Sequence, residues 1–159
     1  MALNKGQNAY ATLEEANAYF QDKLDVAAWI EASDIQKEQA LVTATQQLDN
    51  LAWNGTVVDP QQSLAFPRIG NYFDKRLGMV QEMNPTPQRV VIACYELAYH
   101  LLNNDGLLDS TGSVKSLTVG PISIQNIVSS SKIPSVARTY IKDMLSNAGN
   151  GGNMWWRAN

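Results

Sequence analysis

Apolar positions recur with a helical period along three stretches of the chain. Leu13, Ala16, Phe20, Leu24 and Ala27 share one face, and Trp29 and Ile30 extend it, with a break around residues 22–25. Thr12-Leu13-Glu14-Glu15 opens this stretch as a capping box: the Thr12 hydroxyl accepts a free N–H while Glu15 reaches back. Ser33-Asp34-Ile35-Gln36 is a second capping box. Its helix carries Leu41, Ala44, Leu48 and Leu51 on one stripe and is expected to stop at Asn54-Gly55. A third helix starts at Thr86-Pro87, with Pro at the first helical position. Val90, Cys94, Leu97 and Leu101 line one face, Val91, Ala98 and Leu102 widen it, and Asn103-Asn104-Asp105-Gly106 ends it. So broad a stripe predicts a central core helix.

Residues 56–86 lack a helical period and hold Pro60, Pro67 and Pro85 with Gly70 and Gly78. A loop this long inside a small domain is usually functional or ordered by a neighbour. Val114, Ser116, Thr118, Ile122 and Ile124 lie in a β-prone stretch broken by Gly120-Pro121, which predicts a hairpin. An isolated hairpin is marginal in water, so strands of neighbouring copies are its expected partners. Pro134 starts a last helix with Val136, Tyr140, Ile141, Met144 and Leu145 apolar. The expected fold is mainly α: three to four bundled helices, a long inter-helix loop, a small β-hairpin and an extended C-terminal arm. Its parts are a helical core domain (1–112, with loop 56–86), the hairpin (113–128), a C-terminal helix (132–146) and the arm (147–159).

That arm is a Gly/Asn tether followed by Met154, Trp155, Trp156 and Arg157. Trp and Arg are enriched at interface hot spots, and a solvated tail gains nothing from paired tryptophans. The four residues read as a plug for a partner, or as rings folded back on their own core.

The 159 residues suit one domain, and the net charge of −3 is uneven. Residues 1–112 carry seven Lys/Arg against fourteen Asp/Glu, whereas residues 113–159 carry five against one. An acidic body with a basic C-terminal third suits self-association between unlike ends. The start MALNKGQNAYATLEE has no apolar segment of a secretory signal, and no apolar run nears the roughly 20 residues that span a bilayer. Cys94 falls on an apolar helix face and reads as a small buried hydrophobe.

Chemistry is sparse. There is no phosphate-binding glycine loop, no Cys/His metal spacing and no nucleophile elbow. His100 is the only histidine and follows Glu96 by four positions, which predicts a surface pair. Glu14, Glu15, Asp22 and Asp25 read as first-turn and solvent-face charges. No catalytic residue, metal ligand or cofactor is expected, and the chain is not expected to be an enzyme. Aromatics stand beside basics at Tyr72-Phe73-Asp74-Lys75-Arg76 and Trp155-Trp156-Arg157, the elements of single-strand stacking. The acidic body argues against it, because phosphate neutralisation supplies most non-specific affinity.

Residues 10–102 resemble a phage family labelled "DnaT-like single-stranded DNA-binding". The resemblance is carried by the run Tyr10–Phe20, Trp29, Ser33-Asp34, Lys37-Glu38, Ala40-Leu41, Ala44-Thr45, Leu48-Asp49 and Trp53-Asn54-Gly55. Gln62, Leu64-Ala65-Phe66-Pro67-Arg68, Pro87-Gln88-Arg89-Val90 and Glu96-Leu97-Ala98 continue it. Such proteins are similar to the head-completion adaptors of tailed phages. The resemblance implies a structural virion protein at the head–tail interface, assembled in the bacterial cytoplasm. It implies a ring of this chain, usually of twelve copies, bound to the portal protein above and a tail or nozzle protein below. Packaged double-stranded DNA would pass through the ring without specific binding, and no membrane is involved. The C-terminal arm would pack on the portal. A single-stranded DNA-binding module and a tail completion or terminator protein are the alternatives.

Two readings stay open for Gln62, Phe66, Pro67 and Arg68. In one, Phe66 plugs the core, Pro67 stiffens the loop and Arg68 caps a helix end or pairs with an acid. In the other, Arg68 reaches a carboxylate of the next copy through its bidentate fork.

Overall fold

The computed structural model describes residues 2–103, 117–119, 122–124 and 133–146. Its helices are α1 (Leu13–Gln21), α2 (Ala27–Glu31), α3 (Asp34–Asp49), α4 (Gln88–Asn103) and α5 (Ser135–Ile141), the last continued by a 3-10 turn over Lys142–Met144. The strands are β1 (Thr56–Val57), β2 (Arg68–Ile69), β3 (Asn71–Asp74), β4 (Met79–Glu82), β5 (Leu117–Val119) and β6 (Ile122–Ile124). The described chain is mainly α with three small antiparallel strand pairs.

α4 is the central element. It packs against α3, α5 and α2, and Val90, Val91, Cys94, Leu97, Ala98 and Leu101 are all buried. Both capping boxes form, at Thr12 with Glu15 and at Ser33 with Gln36. The first predicted helix is two. α1 ends at Gln21, Asp25 takes a left-handed φ of 57°, and α2 starts afresh at Ala27. The reset turns Leu24 (91% exposed) and Ile30 out of the predicted stripe, while Phe20 and Trp29 stay buried with ring centroids 4.3 Å apart.

α3 ends at Asp49, short of the expected stop at Asn54-Gly55. Leu41, Ala44 and Leu48 face the core as expected, and Leu51, just past the helix, is half-buried. Trp53 folds back instead of extending the helix, its indole Nε1 donating to the Leu48 carbonyl at 2.8 Å. In α5 the buried positions are Ala137 and Ile141, followed by Met144, so Val136 lies on the solvent side of its predicted stripe. The chain then lies along residues 52–54: Asn54 N–H donates to Met144 O at 2.9 Å, and Ser146 N–H to Ala52 O at 2.8 Å.

The segment 56–86, expected without regular structure, holds four strands. β1 pairs with β2 (Thr56 opposite Ile69) and β3 with β4 (Asn71 opposite Glu82, Asp74 opposite Met79). The C-terminal hairpin is present as β5 against β6, with Thr118 opposite Ser123 and Leu117 opposite Ile124. Its predicted members Val114 and Ser116 lie outside the described residues, as does the arm from 147 onward.

Candidate functional site

The run from Gln62 to Arg68 is a clamp that holds the long segment to the helices. Gln62 Nε2 donates to Leu64 O (2.6 Å) and Pro67 O (3.1 Å), and its Oε1 accepts from Asp59 N–H. Phe66 is buried edge-on against Trp53, centroids 4.7 Å apart, and against Tyr10 at 6.2 Å. The Arg68 guanidinium donates to three carbonyls of its own chain: Asn54 (2.8 Å), Ala65 (3.2 Å) and Gly55 (2.6 Å). Neither a helix end nor an acid is among these partners. Arg68 instead staples the strand it opens to the turn after α3.

A second tie lies beneath. Asp49 Oδ1, at the end of α3, accepts from the Tyr10 hydroxyl and from Ala65 N–H. Burial raises the Asp49 carboxyl above its ordinary value, outweighing both hydrogen bonds, and pushes the Tyr10 phenol up as well.

The clamp presents the β3–β4 hairpin. Along β3 the inward residues are Tyr72 and Asp74, and the outward ones are Asn71 and Phe73. Arg89 on α4 reaches Asp74 at 3.0 Å and the Tyr140 carbonyl at 2.9 Å, so one guanidinium ties α4, α5 and the hairpin together. Burial alone would push the Asp74 carboxyl up. The Arg76 backbone N–H and the Arg89 charge prevail and hold it below the usual carboxylate range. The outer side is apolar: Phe73 (50% exposed) stands opposite Val80 (60%), with Leu77 and Met79 at the tip half-exposed. The Phe73–Val80 pair supports the two strands across the ladder and leaves an apolar face in solvent.

The rest of the described body offers little else. Each of the seven Lys/Arg between residues 2 and 103 is held within the chain: Lys5 by Glu15, Lys23 by Glu96, Lys37 by Asp34, Lys75 by Asp143, Arg76 and Arg89 by Asp74, and Arg68 by carbonyls. Glu96, expected on the surface beside His100, is buried and accepts from the Tyr19 hydroxyl and Lys23. Cys94 is fully buried against Thr45 Oγ1 and Leu41 O, and burial pushes its thiol up to about 12. Among the described residues no group of three His, Cys, Asp or Glu is placed to hold a metal ion, and no helix is long and apolar enough to cross a membrane.

Of the residues singled out from sequence, Gln62, Phe66, Pro67 and Arg68 are brought together. Thr118, Ile122 and Ile124 lie in β5 and β6, away in the chain from that clamp. Met154, Trp155, Trp156 and Arg157 lie outside the described residues. The exposed hairpin was not anticipated. Its signal was present in Phe73, Val80 and the turn Lys75-Arg76-Leu77-Gly78, but the two strands are only four residues each.

A family model described as "Putative DnaT-like ssDNA binding protein" matches residues 2–158. No curated protein and no solved structure matches the chain.

Proposed function

The chain belongs to this DnaT-like family, and from that premise we propose that it is an assembly protein: a head-to-tail connector subunit that rings the DNA channel beneath a portal. The observation that carries the reading is the clamped β3–β4 hairpin, which holds Phe73, Leu77, Met79 and Val80 out to solvent on an acidic body. Rigidly displayed apolar side chains serve protein contacts. The engaged cations offer no continuous track for a phosphate backbone among the described residues. In this reading Ser146, fixed against Ala52, is the point from which the arm departs towards the portal with Met154, Trp155, Trp156 and Arg157. The β5–β6 hairpin adds to an intersubunit sheet, a tail or nozzle protein docks on the opposite face, and the protein acts without catalysis or cofactor.

Single-strand binding is the second reading. The family's description favours it, and so does Phe73 beside the outward Lys75 and Arg76, which together have the parts of a stacking platform at the hairpin tip. Mass in solution, alone and with the portal protein, separates the two when set beside titration of a labelled single-stranded oligonucleotide. Association with portal and no salt-dependent oligonucleotide binding supports the connector. Oligonucleotide binding that weakens steeply with salt, with no portal association, overturns it.

A further inference from the structure

Eight of the ten large apolar side chains left exposed among the described residues fall in two groups. Ile69, Phe73, Leu77, Met79 and Val80 belong to the β2–β4 region, and Leu24, Ile30 and Ile35 to the stretch that runs from the α1–α2 turn through the α2–α3 corner. The groups differ in charge. The hairpin turn carries Lys75 and Arg76, both side chains mostly in solvent. The corner is rimmed by Glu31, Asp34 and Glu38. Two lysines line it: Lys37, folded down with its ammonium 5.9 Å from the Trp29 ring centroid, and Lys23, held by Glu96. A shallow groove of about 230 Å³ runs on along α3 from Ile35 past Glu38 and Val42.

We infer that the β3–β4 hairpin of one copy seats on the α2–α3 corner of the next, Phe73 and Val80 against Ile30 and Ile35, with Arg76 beside Glu38. The inference rests on the ring reading and gives that ring its contact. Charge decides between a second copy and an unrelated occupant: one patch is apolar with a basic tip, the other apolar with an acidic rim. The patches lie on different elements: the corner on α2 and α3, the hairpin on β3 and β4, of which β3 touches the 3-10 continuation of α5. Unlike patches can meet reciprocally about a two-fold axis or repeat head to tail and close when the rotation allows, and the ring reading selects the second.

The test is native mass of the full chain, alone and on the portal protein, for wild type, Phe73→Ser/Val80→Ser, Arg76→Glu, Glu38→Arg and the double charge swap. All these side chains are exposed or half-buried, so circular dichroism and melting are expected to stay at wild-type values. The apolar pair is expected to weaken self-association at least about tenfold. Each single swap is expected to weaken it too, and the double swap to restore it. Rescue by the double swap is a result that mere misfolding does not produce. A wild-type ring that none of the variants disturbs overturns this contact and leaves the ring reading standing. A wild-type chain monomeric both alone and with portal overturns the ring reading and this contact with it.

Discussion

Phe66 and Asp49 carry the attachment of the long segment to the helices. The Phe66 ring sits between Trp53 and Tyr10 with almost no exposure. Phe66→Ala is therefore expected to cost about 3–5 kcal/mol in urea unfolding. A loss under about 0.5 kcal/mol would mean the ring contributes nothing to the folded monomer. Asp49 binds its proton more tightly folded than unfolded, since burial raises its carboxyl from the ordinary 3.8. A raised carboxyl contributes most below the unfolded value, and that contribution fades as pH rises through the folded value. Asp49→Asn keeps the Oδ1 acceptor for Tyr10 and Ala65 without the buried charge. Its Tm relative to wild type is expected to climb between about pH 3 and pH 6, and a flat or falling difference contradicts the assignment. Asp49→Ala removes the acceptor and is expected to cost about 1–3 kcal/mol. Phe66 as a core plug was legible from its apolar neighbours in sequence. The three carbonyls under Arg68 were not, because backbone acceptors leave no trace in a residue pattern.

At the scale of elements, helices with caps and broad stripes were legible, above all α3 and α4. What failed did so for local reasons. Asp25 resets the helix path, and Trp53 turns back on Leu48. β3 inverts the usual pattern: Asp74 is buried because Arg89 and the Arg76 N–H meet its carboxylate, while Phe73 faces out. A strand that buries Asp74 beside Tyr72 and exposes Phe73 does not show the usual alternation in its sequence. The turn after α3 depends on Gly55, whose φ is +72° and where a Cβ would lie 2.2 Å from the Ile69 carbonyl oxygen. Gly55→Ala is expected to destabilise by about 1–3 kcal/mol or more, from the left-handed backbone alone before the clash is counted. An unchanged unfolding midpoint would show that β2 does not pack there as described.

For the whole molecule, the described packing runs as far as Ser146. Met144 is fully buried and Ser146 is hydrogen-bonded to Ala52, so the body extends to that point. Truncation after Asn147 is expected to leave the melting temperature within a degree or two but to abolish portal association, because the proposed role of Met154, Trp155, Trp156 and Arg157 is on the portal and not in this body. Truncation after Ile141 removes Met144 and is expected to unfold or strongly destabilise the chain. A truncation after Asn147 that still joins the portal would detach the arm from the proposed role. The charge asymmetry legible in the composition sets residues 1–112 against 113–159, whereas the exposed basic residues of the hairpin tip and the acidic ones around the α2–α3 corner both lie within the acidic body. The exposed apolar groups that give those charges a purpose were hidden, because exposure is decided by packing and not by residue type. The most direct test of the assembly role is the native mass of the full chain mixed with the portal protein. The account predicts a discrete ring of this chain on the portal, lost on removing the arm. A chain that ignores the portal and instead shifts to the mass of a single-stranded DNA complex would contradict it.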